Sequence, residues 1–177
     1  THELVMQINN QIKLLSTNSE KAVTSLNIIG DVNIDKQIKK LKEVKPHIIV
    51  GTPGRVLDLM NKKKIASHQI KTIVIDEGDN LLDNTSSNFV KDIVKKTIRD
   101  RQLLIFSATI SNKTLSTAKE LMKDPIIYKN KQQVSLNPNI EHYYIEVDQR
   151  EKVEVLRKLL SAVNPEKALV FVNKSLI

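Results

Sequence analysis

Ile73-Val74-Ile75-Asp76-Glu77-Gly78-Asp79 runs from three β-branched apolar residues straight into three carboxylates. The apolar run fits a parallel strand covered on both faces, which puts the acids at its carboxyl end. Carboxylates this close repel one another unless a cation lies among them, and a hydrated Mg2+ is the usual one. The plainer alternative is a strand followed by a helix with an acidic first turn. Two other stretches suit phosphate chemistry. Thr52-Pro53-Gly54-Arg55 combines hydroxyl and guanidinium donors with a glycine that admits an anion to backbone N–H groups at a helix start. Taken alone it reads more simply as a tight turn. Ser107-Ala108-Thr109 offers hydroxyls that both donate and accept; alone it reads more simply as a loop with helix-capping residues.

These stretches need strands and helices to hold them. Leu4, Ile8, Ile12 and Leu15 predict a helix over 3–15. Strands are predicted at 24–30, 47–50, 71–76 and 103–106, with a short one at 126–128. Between them lie helices, one capped by Asp35 with Ile38, Leu41 and Val44 inward, one with Val56, Leu57 and Met60 inward, and one capped by Ser111 with Leu115, Ala118 and Leu121 inward. Leu81-Leu82 and Phe89 to Ile98 mark further helix. After the polar stretch 129–139, His142 to Val147 alternates like a strand. Asp148 and Glu151 then form a capping-box pattern before a helix with Val153, Leu156, Leu160 and Val163 inward. Ala168 to Val172 reads as a last buried strand, ending at Asn173. The β-α alternation implies an α/β fold, a parallel sheet with helices on both faces. Its strands end repeatedly in small or polar residues: Gly30, Gly51-Thr52, Asp76-Glu77, Ser107-Ala108-Thr109. Ligands of open α/β sheets bind outside such carboxyl ends.

Composition narrows the partners. The chain has 177 residues, a hydrophobic fraction of 40% and a net charge of +8. That supports a folded core and favours an anionic partner such as nucleic acid, although the lysines are scattered. Aromatics are few, so base stacking on aromatic platforms is not the expected mode. The absence of cysteine excludes disulfides, thiolate zinc ligands and thiol catalysis. His2, His47, His68 and His142 show no metal-ligand spacing. No apolar run approaches the ~18 residues of a membrane span, so no membrane partner is expected and a cytoplasmic protein is. A start at Thr1 and a stop at Ile177 read as cut ends.

Together the three stretches, in this order and spacing, resemble the DEAD-box family of ATP-dependent RNA helicases. Thr1-His2-Glu3-Leu4-Val5-Met6-Gln7 resembles the end of that family's motif Ia, Pro-Thr-Arg-Glu-Leu-Ala-x-Gln, with His2 where arginine is usual. Ile29-Gly30-Asp31 stands where a Gly-Gly pair is usual, and an acid near phosphate is unfavourable. Gly78 replaces the usual alanine, and Ala168 to Lys174 resembles the start of motif IV. The resemblance implies an incomplete first RecA-like domain over 1–129, a linker over 130–139 and the start of a second RecA-like domain over 140–177. It implies ATP and Mg2+ as cofactors, with Asp76 holding the metal through water and Glu77 positioning and deprotonating the attacking water. Asp79 would hydrogen-bond Ser107 and Thr109, linking hydrolysis to domain closure. Thr1, Gly30, Thr52, Gly54 and Arg55 would contact RNA, chiefly its backbone. No Gly-x-x-x-x-Gly-Lys-Ser/Thr loop occurs in the chain, so the chain alone is expected to hydrolyse no ATP. The alternative is a non-catalytic RNA-binding or regulatory protein on a helicase fold.

Overall fold

The computed structural model describes residues 1–83, 86–128, 137 and 139–172. The chain divides into two units, Thr1–Ile127 and Tyr128–Ile177. In the first unit the order is α1 (His2–Thr17), β1 (Ser25–Ile28), α2 (Ile34–Val44), β2 (Ile48–Gly51), α3 (Pro53–Asn61), a 3-10 turn (Ser67–Gln69), β3 (Thr72–Ile75), α4 (Gly78–Asp83), α5 (Ser86–Lys96), β4 (Gln102–Ile105) and α6 (Asn112–Leu121). Among the described residues no helix is long and apolar enough to cross a membrane.

The strands pair in parallel, as βα alternation requires. They form two separate two-stranded sheets rather than one continuous one: β1 with β2, Ile28 opposite Gly51, and β3 with β4, Ile75 opposite Ile105. Each pair is stitched just past its end. Thr52 N–H donates to Ile28 O at 3.0 Å, and Phe106 N–H to Ile75 O at 2.8 Å. Two apolar clusters cover the pairs. Ile28, Leu41, Leu59, Met60 and Ile65 pack beside β1–β2; Ile75, Leu82, Val90 and Val94 pack beside β3–β4. Leu59 and Leu82 are fully buried, each stabilising the fold by about 1.5–3 kcal/mol relative to exposure. Helix α3 packs on α5, which joins the two halves.

Local signals mostly placed the helices well. Ser111 caps α6, its Oγ accepting from Thr114 N at 2.9 Å. The cap of α2 is Asn33 rather than Asp35. Asn33 Oδ1 accepts from Asp35 N at 2.8 Å and Lys36 N at 3.2 Å, while Asp35 lies in the first turn, where a negative charge suits the dipole. In α1 the buried residues are Val5 and Asn9, so the packed face is rotated from the predicted one and Leu15 is exposed.

The second unit departs from expectation. Its described helix is α7 (Lys152–Val163), with Glu151 at the cap position and no side-chain capping bond, so the Asp148–Glu151 box does not form. Val153 and Val163 are exposed. Residues 142–147 and 168–172 are not strands, and Phe171 is 87% exposed. Nor does 126–128 form a strand. A strand needs a neighbour to take its backbone N–H and C=O groups, and among the described residues these segments pair with none. The predicted strand end at Asn173 and most of the 130–139 stretch lie outside the described residues.

Candidate functional site

The carboxyl ends of β3 and β4 carry one cluster. Asp76 is exposed, and its Oδ1 accepts from Glu77 N at 2.9 Å. Glu77 adopts φ 51°. A left-handed conformation costs a non-glycine residue of order 1–3 kcal/mol and persists only where its surroundings impose it. The imposing contact is the next residue: Gly78 N–H donates to Phe106 O at 2.8 Å, fastening the exit of β3 to that of β4. Gly78 is buried in that seam, where an added Cβ would lie 2.9 Å from Ile105 Cγ2 and 3.2 Å from Phe106 O. No glycine among the described residues has positive φ, so here glycine answers to space rather than to backbone conformation.

Asp79 fastens the same seam one step further. Its Oδ2 accepts from Thr109 Oγ1 at 2.6 Å and from Thr109 N at 3.1 Å, and its Oδ1 from Asn80 N at 3.0 Å. Ser107 Oγ accepts from Asp79 N at 2.9 Å and donates to Thr109 O at 2.6 Å. These bonds, the Thr109 hydroxyl first, hold the Asp79 carboxyl below the ordinary carboxylate range. One helical turn on, Asp83 makes a second tie that the sequence reading did not anticipate. Its carboxylate accepts from Ser111 Oγ at 2.7 Å and Thr114 Oγ1 at 2.9 Å, and Lys113 donates to its carbonyl. The available signal was the repeat of an acid on α4 facing a hydroxyl pair near α6.

The carboxyl ends of β1 and β2 carry the other cluster, where the starts of α1 and α3 meet the β1–α2 loop. Thr1 Oγ1 caps α1, accepting from Leu4 N at 3.2 Å. Thr52 occupies the cap position of α3 without a side-chain capping bond. The first-turn amides of α3 have no carbonyl one turn earlier and take no bond from the Thr52 side chain. Arg55 is largely engaged within the chain: Nη1 donates to Val32 O at 2.7 Å and Gln37 Oε1 at 3.3 Å, and Nη2 donates to Gly30 O. Buried Gln37, also unforeseen, donates to Ile29 O at 2.7 Å. His2 Nδ1 lies 2.6 Å from Asp31 Oδ2.

The glycines separate by what surrounds them. At Gly51 a Cβ would meet Val56 Cγ2 at 2.6 Å and Ile28 O at 2.7 Å, so packing of α3 on the sheet demands glycine. At Gly54 the nearest atom is in the Phe89 ring at 3.8 Å, and at Gly30 it is His2 Nε2 at 3.9 Å. Nothing inside the described chain requires glycine at those two positions. His47 bonds Thr24 through Nδ1, and among the described residues no group of three acidic or histidine side chains converges on a metal-sized space.

A family model described as DEAD/DEAH box helicase matches residues 1–118. The chain belongs to that family. It is 45% identical over 172 residues to the probable ATP-dependent RNA helicase YfmL of Bacillus subtilis, a match covering 97% of this chain and 45% of that protein. With the DEAD-box ATP-dependent RNA helicase CshC of Bacillus cereus it shares 36% identity, over 98% of this chain and 43% of that one. The chain thus spans less than half the length of these relatives. A DEAD box protein from the hyperthermophile Methanococcus jannaschii superposes with a TM-score of 0.68 at 34% identity, covering 90% of this chain and 42% of that chain. The S. cerevisiae protein Dbp5 bound to RNA and ADP BeF3 superposes with a TM-score of 0.64 at 30% identity, covering 74% and 32%. The α/β elements and parallel strand pairs of the first unit are those of a RecA-like DEAD-box domain.

Proposed function

We propose that the protein containing this chain is an ATP-dependent RNA helicase that uses ATP hydrolysis to separate short RNA duplexes. The observation that carries this reading is the Asp79–Thr109 bond, which joins the carboxylate-bearing end of β3 to the Ser107-Ala108-Thr109 segment. Asp76 and Glu77 form the hydrolytic side. Asp76 spends one oxygen on Glu77 N and is exposed, which fits a hydrated Mg2+ held through its water shell. When bound, the metal supplies charge neutralisation for the β- and γ-phosphates. Glu77, projected by its left-handed backbone, orients the attacking water and takes its proton. Asp79 is kept ionised by its donors, so it acts as a fixed acceptor that transmits movement to Ser107 and Thr109.

On the RNA side, the open Thr52 hydroxyl, the α3 amides at Gly54 and the uncrowded backbone at Gly30 suit an approaching phosphate chain. Thr1 lies at the start of α1 on the same side, and Arg55 holds the Gly30–Val32 loop in position for it. In this reading residues 1–129 belong to a first RecA-like domain and 140–177 to a second, and the protein works in the cytoplasm. The chain lacks a phosphate-cradling Gly-Lys loop, so by itself it hydrolyses no ATP.

Glu77→Gln in the full-length protein tests the assignment. RNA-stimulated phosphate release falls at least about a hundredfold, the scale of general-base catalysis, while ATP and RNA binding persist. Turnover at a near-normal rate would remove Glu77 from the role of base. RNA binding with no ATP turnover in the wild-type protein would instead favour the non-catalytic alternative.

A further inference from the structure

Two lysine runs that lie far apart in the sequence are gathered by the fold. Helices α3 and α5 pack side by side, and their C-terminal halves share a shallow groove lined by Leu57, Asn61, Asp92, Lys95 and Lys96. Lys62, Lys63 and Lys64 follow directly on α3, and Arg99 lies just past the end of α5. These six cations are all exposed. From there the chain runs on to Thr72 and Gln102, the first residues of β3 and β4. The cluster therefore sits at the amino ends of the strands, the opposite end from Asp76 and Glu77. We propose that this cluster is a second RNA contact, which holds the phosphate backbone of RNA extending beyond the carboxyl ends of the strands. The proposal rests on the RNA-binding reading above for the identity of its partner.

Lysines at a helix end often do no more than complement the helix dipole, and Lys95 and Lys96 in the last turn of α5 do this. That accounts for two of the charges and leaves the others. Elsewhere on the helices lysines are matched by acids: Lys39 lies 3.8 Å from Glu43, and Lys91 2.7 Å from Glu120. In the cluster Lys62 is matched, 3.5 Å from Asp58. Among the described residues Lys63, Lys64, Lys95, Lys96 and Arg99 form no ion pair. The acids on these stretches are Asp58, Asp92 and Asp100, so six cations face three carboxylates in a chain whose net charge is +8. Like charges gathered on one surface repel, and a polyanion laid across them removes that repulsion. Lysine ammonium groups are compact point charges that contact phosphates without reading bases. No aromatic side chain lines the groove, so it offers bases no stacking platform. The turn that carries the first run is fixed. Lys63 adopts φ 56°, Lys64 N–H donates to Leu59 O at 2.8 Å, and Ile65 is buried. A lysine run on a fixed turn loses less freedom on binding than one on a loose loop.

The test measures binding of two single-stranded oligouridines to the full-length protein, a short one and one about four times as long, at limiting RNA and several salt concentrations. One variant combines Lys63→Gln, Lys64→Gln, Lys95→Gln and Lys96→Gln. It binds the long RNA at least about tenfold more weakly, and its slope of log affinity against log salt shrinks by about 2–3, the share of four phosphate contacts on a single strand. Its binding of the short RNA, and the phosphate release that RNA stimulates, change by less than about twofold, since screening confines the lost charges to their own end of the strands. A second variant, with Lys63→Arg, Lys64→Arg, Lys95→Arg and Lys96→Arg, keeps the charge and binds the long RNA as wild type does. A glutamine variant with unchanged long-RNA affinity and salt slope, or with equal losses for both RNAs, would overturn the proposal and leave the RNA reading intact. Equal losses in the glutamine and arginine variants would overturn it too, because the lysines would then act through structure rather than charge. Loss of binding to phosphatidylserine vesicles with RNA affinity unchanged would overturn it in favour of a membrane surface. A wild-type protein that binds neither RNA would overturn it together with the RNA reading.

Discussion

The carboxyl ends of the two strand pairs are wired in opposite senses. At β3–β4 the chain leaves two acids, Asp76 and Glu77, with outward oxygens and fastens the third, Asp79, between hydroxyl and amide donors. At β1–β2 it engages its donors instead: Arg55 on backbone carbonyls and His2 on Asp31. What is left open there is the Thr52 hydroxyl and the start of α3. One end therefore leaves carboxylates without internal cations, and the other leaves neutral donors without a side-chain partner. A motif alone does not distinguish a residue committed to internal wiring from one left for a ligand. Arg55 and Asp79 lie inside the motif stretches, yet both are committed to neighbouring loops.

The glycines give the sharpest way to break this contrast. Alanine at Gly51 forces Cβ onto Val56 and the Ile28 carbonyl, and overpacking of this kind costs about 1–3 kcal/mol. Alanine at Gly78 meets Ile105 Cγ2 at 2.9 Å and the Phe106 carbonyl at 3.2 Å, a smaller overlap than at Gly51, so the loss lies at the lower end of that range, about 1 kcal/mol. Alanine at Gly54 touches only the Phe89 ring at ordinary contact distance, so stability changes by no more than about 0.5 kcal/mol while RNA affinity drops. Denaturation midpoints and oligouridine binding of the three variants check the ranking. A Gly54→Ala protein as unstable as Gly51→Ala, or one that binds RNA normally, would remove the distinction.

A smaller effect probes the clamp. Thr109→Val removes the first of the donors that depress Asp79. The folded-state value lies below the unfolded one, so the clamp's stabilisation is present above the ordinary carboxylate range and is lost as pH falls through the folded value. Wild type should therefore exceed Thr109→Val in melting temperature at neutral pH, and the gap should close on acidification. A gap independent of pH would mean the threonine acts by packing.

Much of the first unit was legible because its signals are local. The β-branched run at Ile73–Ile75 ends where the carboxylates begin, Ser111 caps its helix, and the Leu57–Met60 face is buried. The cap of α2 was misplaced by two residues: Asn33 rather than Asp35 takes it, because the Asn33 amide oxygen reaches two N–H groups. Tertiary pairings were readable only where the family resemblance named them, as for Asp79 with Ser107 and Thr109. Nothing in Asp83 or His2 names Ser111, Thr114 or Asp31 as a partner, since each bond closes across elements far apart in sequence. The alternation at 142–147 and the apolar run at 168–172 are sound strand patterns that lack a neighbouring strand among the described residues. Pattern describes which face a strand would bury, and pairing decides whether it forms.

Glu77 offers the most direct test of the claim that the β3 end is held open for hydrolysis at a cost in stability. Glycine relieves the left-handed backbone that glutamate adopts at φ 51°. In full-length Glu77→Gly, measured for phosphate release and melting temperature side by side, we predict that RNA-stimulated release is lost and the melting temperature holds or rises. Retained turnover, or a melting temperature that falls, would contradict the account.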